Sequence, residues 1–138
     1  MQKELSIQEV AERTGLSIHA LRYYERLGLL DPVHRLPNGH RRFTEDDLAW
    51  IAFLQCLRRT NMSIRQMQAF ANLRRQGDAA LQERLEFLEE HERNVQASID
   101  ELEQSLVVIR RKIRRHRVQL AGGELEADPV QQQVPLSR

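Results

Sequence analysis

Arg22, Tyr23, Tyr24 and Arg26 sit together in one short stretch, and Arg35, Arg41 and Arg42 follow on either side of an Asn38-Gly39 pair. Guanidinium forks fit phosphate oxygens or guanine edges, and a tyrosine hydroxyl reaches phosphate. A compact helix with Arg and Tyr on its outer face, followed by an arginine-lined β-ribbon, can grip duplex DNA at more than one place. Cys56, the single cysteine, is the other residue with chemistry of its own; Arg58 and Arg59 follow it and a helix start at Ser63 is near. Cationic neighbours and a helix N-terminus favour the nucleophilic thiolate. The competing reading is a buried structural cysteine among Phe53, Leu54 and Leu57. An enzyme would need a convergent acid, base or nucleophile, and Cys56 has no close His or Asn/Asp motif to activate it, which excludes that class.

The elements that must position these residues are marked by their caps. Ser6-Ile7-Gln8-Glu9 is a capping-box pattern, with Val10 and Ala11 on the apolar stripe and Gly15 as the stop. Ser17 caps a second helix in which Ile18, Leu21 and Tyr24 fall on the apolar side, and two short helices joined by a tight Gly-containing turn are the helix-turn-helix signature. Gly28 to Pro32 ends that helix. Val33–Leu36 and His40–Phe43 are expected as strands around Pro37-Asn38-Gly39, a hairpin signal. Thr44 with Asp47 starts a third helix that Asn61 closes, and Ser63 caps a fourth that ends at Gln76-Gly77.

From Ala79 to Leu120 there is neither Pro nor Gly. Stepping alternately by four and three gives Leu81, Leu85, Leu88, Glu92, Val95, Ile99, Leu102, Leu106, Ile109, Ile113, His116 and Leu120, apolar at every position but two. At about 1.5 Å per residue such a helix is roughly 60 Å long. A helix with one apolar seam and no partner of its own length in the chain calls for a second copy. Charge argues the orientation. Residues 79–104 hold eight acids against Arg84 and Arg93, a balance of −6, whereas residues 105–120 hold six basic residues and no acid, +6. A parallel pair sets like charges abreast and an antiparallel pair sets opposite ones, so the expectation is antiparallel, with Ile99 and Leu102 near the two-fold axis.

The remaining bounds are broad. The 138 residues carry a net charge of only +1, but residues 1–77 hold twelve basic against eight acidic side chains, +4. Few aromatics and a charged fraction of 30% imply a small core that association would help. A lone cysteine, no apolar run of membrane-spanning length and no leader pattern lead us to expect a soluble, cytoplasmic protein. Residues 121–138 lack periodicity and are expected as a disordered tail.

VAERTGLSIHALRYYERLGLL followed by LPNGHRRFTEDDL resembles the MerR family of bacterial transcription regulators over about residues 5–120. The resemblance implies a mostly α fold: a winged helix-turn-helix with a small β-hairpin wing (residues 1–77), including two further helices, and a long C-terminal antiparallel coiled-coil dimerisation helix (78–120). It implies that Ser17, His19, Arg22 and Tyr23 face the major groove or adjacent phosphates, and that Arg41 reaches backbone or minor groove, with Arg35 and Arg42 as candidate helpers. Tyr24 and Leu21 fall on the apolar stripe and are expected in the core. His40 stands where the family has an aromatic, and Phe43 where it has a tyrosine, which leaves that position without a hydroxyl. The partners implied are a double-stranded DNA operator, a second copy of the chain and RNA polymerase at the promoter, with no cofactor.

Cys56 late in the third helix, together with RRQGD and RLEFLEEHERNV, resembles the aldehyde- and electrophile-responsive subgroup and makes Cys56 a candidate sensor thiol. No metal is expected. Cysteine-based metal sensors of the family keep cysteines near the end of the dimerisation helix, and this chain has none there. His91 and His116 are too far apart to share an ion within one chain and could meet only across an antiparallel dimer, solvated or seam-packed histidines being the default reading. Two alternatives remain: a DNA-binding regulator with a different effector or none, and a coiled-coil adaptor that uses the helix-turn-helix as a protein interface.

Overall fold

The computed structural model describes residues 4–31, 34–35 and 41–124, and capping decides where its helices begin. Helix α1, Ile7–Thr14, opens on the capping box, the Ser6 hydroxyl accepting from the Glu9 amide and the Glu9 carboxylate from the Ser6 amide, both at 3.2 Å. Such caps contribute about 1 kcal/mol each. Gly15 stops the helix in the left-handed region, φ 78°. Helix α2, Ile18–Arg26, starts at Ser17, whose hydroxyl accepts from the Ala20 amide at 3.0 Å. It closes in a Schellman turn: the Leu29 amide reaches the Tyr24 carbonyl at 3.0 Å, and the Gly28 amide the Glu25 carbonyl at 3.1 Å, with Gly28 at φ 77°.

Two short strands, β1 (His34–Arg35) and β2 (Arg41–Arg42), pair antiparallel with His34 opposite Arg42 and Arg35 opposite Arg41. The expected Pro37-Asn38-Gly39 turn, and Val33, Leu36 and His40 of the expected strands, lie outside the described residues. Next to β2, Phe43 exchanges both backbone hydrogen bonds with Leu5, at 2.6 and 2.8 Å, so the segment before α1 is tied to the strand end. Helix α3, Glu45–Arg59, begins with the Thr44–Asp47 box; helix α4, Ile64–Arg75, begins with the Ser63–Gln66 box. A 3-10 turn, Gly77–Ala80, leads into helix α5, Leu81–Leu120. Ala121 and Gly122 form its closing turn, and residues 125–138 of the expected tail lie outside the described residues.

The core is built by Leu5, Val10, Leu21, Tyr24, Leu29, Leu30 and Phe43 together with Trp50, Ile51, Leu54, Leu57, Met67 and Phe70. Leu21 and Tyr24 are buried as their stripe implies. Phe43 is 1% exposed, so its ring is core and a hydroxyl there would have no route to DNA. Aromatic rings run on from Trp50 to Phe70, at 5.9 Å between centroids, and from Phe70 to Phe87 at 5.5 Å. The chain divides into two compact units at Glu89/Glu90. Residues 1–77 were the expected first domain; Phe87 and Leu88, both packed against the core, carry the first unit into the opening turns of α5. Among the described residues no helix is long and apolar enough to cross a membrane.

Candidate nucleic-acid interface

Burial splits α2 into two faces. Leu21 and Tyr24 point into the core, and His19, Arg22, Tyr23 and Arg26 are exposed. Spacings of three and four put these four side chains on one outward stripe. Tyr23 remains 44% exposed, and the Arg26 guanidinium lies 5.9 Å from its ring centroid. That cation–π contact holds two groups able to meet phosphate side by side. Ser17 is exposed at the start of the helix; its oxygen accepts the Ala20 amide, which leaves its O–H free to donate.

The other candidate contacts sit on the strands. Arg35 and Arg41 oppose each other in the backbone register. Arg42 lies 4.0 Å from the Glu4 carboxylate, with its side chain about two-thirds covered, so it is drawn toward the segment ahead of α1. Arg13, at the end of α1, is paired with Glu45 of α3 at 3.0 Å. Gln55 of α3 donates to the Thr14 carbonyl at 2.9 Å. These two links set α1 against α3, and the helix-turn-helix is thereby placed on the rest of its unit.

Sequence reasoning missed the groups that hold the exit of α2. Three successive carbonyls past the helix, those of Leu27, Gly28 and Leu29, accept from Gln68, Arg75 and Trp50. A helix end leaves its carbonyls without intrahelical partners, which demands donors from somewhere. No motif says which distant side chains supply them.

Cys56 is exposed, which corrects the expectation of a thiol packed among Phe53, Leu54 and Leu57 as one of its two readings. The buried stripe of α3 is Trp50, Ile51, Leu54 and Leu57, and Cys56 faces away from it. Along α5 no residue is buried. Leu81, Leu85, Ile99, Leu102, Leu106, Ile109, Ile113 and Leu120 of the seam are all exposed, Leu102 by 70%, and Leu88 and Val95 are half-buried. Among the described residues no group of three or more His, Cys, Asp or Glu side chains could hold a metal ion. His116 instead has Nδ1 at 2.7 Å from the Lys112 carbonyl of its own helix.

The sequence profile described as MerR HTH family regulatory protein matches residues 5–72. An HTH-type transcriptional regulator of Haemophilus influenzae is 38% identical over 119 residues, 86% of this chain and 88% of that one. AdhR of Bacillus subtilis, an HTH-type transcriptional regulator, is 38% identical over 84 residues, 61% of this chain and 60% of AdhR. Among solved structures, HiNmlR, a MerR family regulator lacking the sensor domain and bound to promoter DNA, matches with a TM-score of 0.78 and 35% identity, covering 88% of this chain and 97% of HiNmlR. A MerR family regulator from Listeria monocytogenes matches with a TM-score of 0.79 and 33% identity over 94% of this chain and 93% of that one.

Proposed function

The chain belongs to the MerR family of DNA-binding transcriptional regulators, whose members here are regulators and not enzymes, and from that premise we propose that it binds a dyad operator within a promoter spacer as a homodimer and distorts that DNA on induction. The observation that carries this reading is the outward stripe of α2, with His19, Arg22, Tyr23 and Arg26 exposed while the opposite face is locked into the core. A surface of guanidinium, phenol and imidazole on a rigid short helix is suited to the major groove and its flanking phosphates. Arg41, helped by Arg35 and Arg42, is the second grip, from the hairpin wing. HiNmlR, which shares this fold closely, is bound to promoter DNA.

The exposed seam of α5 supports the homodimer. Eight large apolar side chains on one helix are stabilised by a partner surface of the same pattern, and the change from acidic to basic charge along the helix favours an antiparallel coiled coil. Two reading units held on one two-fold axis require a dyad operator. On induction the dimer keeps its grip and deforms the spacer, which aligns promoter elements for RNA polymerase; the cost of that deformation depends on the spacer sequence. The inducing signal in this reading is an aldehyde or other soft electrophile that modifies Cys56, whose exposure lets a dissolved electrophile reach it. The protein acts where the DNA is, in the cytoplasm.

The test of the DNA-binding reading is titration of an operator duplex, obtained by binding-site selection, with Arg22→Ala and Arg41→Ala. Loss of a phosphate contact weakens binding to every sequence and flattens the salt slope by about one unit; loss of a bidentate base contact costs about 1–3 kcal/mol and relaxes specificity. Unchanged titrations for both variants overturn the placement.

A further inference from the structure

Arg75, the last residue of α4, makes three different contacts with one guanidinium. Its Nε donates to Asp31 Oδ1 at 2.7 Å, its Nη1 to Asn72 Oδ1 at 2.9 Å, and its Nη2 to the Gly28 carbonyl. Arg74 adds a fourth interaction from the neighbouring position, its Nη1 lying 3.5 Å from Asp31 Oδ2 while its guanidinium stacks 4.4 Å over the Trp50 ring. Gly28 and Asp31 belong to the few residues between the recognition helix α2 and strand β1. Two points of that connection, Gly28 and Asp31, are therefore held from one helix terminus.

We propose that Arg75 is a positioning residue for operator recognition, which fixes the chain between α2 and β1 so that the DNA-reading groups on either side keep one spatial relation. The proposal rests on the DNA-binding reading above. The geometry favours positioning over stability as the role. Asp31 is 48% exposed and Arg75 is 34% exposed in their side chains, and ion pairs in solvent add little to folding. The burial in this region is supplied by Leu29 and Leu30 and by the Trp50 indole bond, none of which needs Arg75. What Arg75 supplies is direction: a planar fork satisfied at Nε, Nη1 and Nη2 at once has one orientation. Lysine would retain a charge for Asp31 but has no fork to reach Asn72 and Gly28 together.

The experiment compares wild type, Arg75→Ala and Arg75→Lys in three measurements: affinity for the selected operator, affinity for a random duplex of equal length at the same salt, and thermal unfolding. The expected result for Arg75→Ala is a fall of about tenfold in the operator-to-random affinity ratio, the scale of one lost or misplaced base contact. Its affinity for random duplex and its melting temperature stay at the wild-type values, and Arg75→Lys falls between the two. A merely structural role would lower the melting temperature and both affinities together, and that outcome overturns the proposal. So does an unchanged ratio in Arg75→Ala. A wild-type chain with no preference for any duplex would sink the DNA-recognition reading and this proposal with it, whereas a wild-type preference that Arg75→Ala retains sinks this proposal alone.

Discussion

The Trp50 indole N–H donates to the Leu29 carbonyl at 2.8 Å, a buried bond that joins α3 to the chain just beyond α2. The two residues are far apart in sequence, and the bond fixes one point of the reading unit to the core that carries it. Trp50→Phe keeps most of the aromatic packing against Phe53 and Phe70 but leaves the carbonyl buried without a donor. Unsatisfied buried groups cost about 1–3 kcal/mol. Urea unfolding of the variant should show an unfolding free energy lower by that amount, read as a lower midpoint with an unchanged slope. A midpoint equal to wild type would mean that another donor or water takes the carbonyl.

The caps give a second, smaller expectation. Thr44 and Asp47 satisfy each other's amides at the start of α3, at 3.1 and 2.9 Å. Thr44→Ala removes one of these bonds and should destabilise by about 1 kcal/mol. Because Phe43, just before the cap, is buried and bridged to Leu5, the start of α3 cannot slide to find another cap. A loss well under half that figure in chemical denaturation would show that the cap bond is redundant.

Dimer geometry is open to a direct check. Ile99 is exposed by 42% and lies near the middle of α5, so in an antiparallel pair of equal helices it approaches its own copy. Ile99→Cys in a Cys56→Ser background should crosslink as a symmetric disulfide under mild oxidation. Cysteines placed singly at 85 and 113 should crosslink poorly to themselves and well to each other when the two proteins are mixed. Efficient self-crosslinking at both of those positions would indicate a parallel pair.

Local features of the fold were legible because their causes are local. Ser6, Ser17, Thr44 and Ser63 cap the helices that begin after them, since a hydroxyl three residues before a free amide is enough to fix a start. The division of α2 into Leu21 and Tyr24 inside and Arg22 and Tyr23 outside follows from helical period alone. What could not be read depends on which parts of the chain meet. Leu5 pairing with Phe43 has no periodic signal, and neither has Gln68 reaching the Leu27 carbonyl from α4. Cys56 misled through composition. Its neighbours Phe53, Leu54 and Leu57 are apolar, yet it stands two residues past Leu54, about 200° around the helix from it, and so faces outward.

That exposure decides how Cys56 would carry the inducing signal. An adduct on a thiol at the outer face of α3 grows away from the buried stripe of Trp50, Ile51, Leu54 and Leu57. The change must therefore act on a surface that Cys56 shares with something else, the second copy of the chain being the partner the exposed seam calls for. Overpacking a well-fitted contact costs about 1–3 kcal/mol, enough to change the relative weight of two dimer arrangements several-fold. Two consequences separate sensing from packing. Cys56→Ser should unfold at the wild-type temperature, because an exposed thiol contributes little to the core, and should bind operator with wild-type affinity. In a reporter strain the same variant should keep basal expression and lose the response to an aldehyde. Full induction in Cys56→Ser would remove Cys56 from the signal path and leave the regulator with an effector that does not act through this thiol.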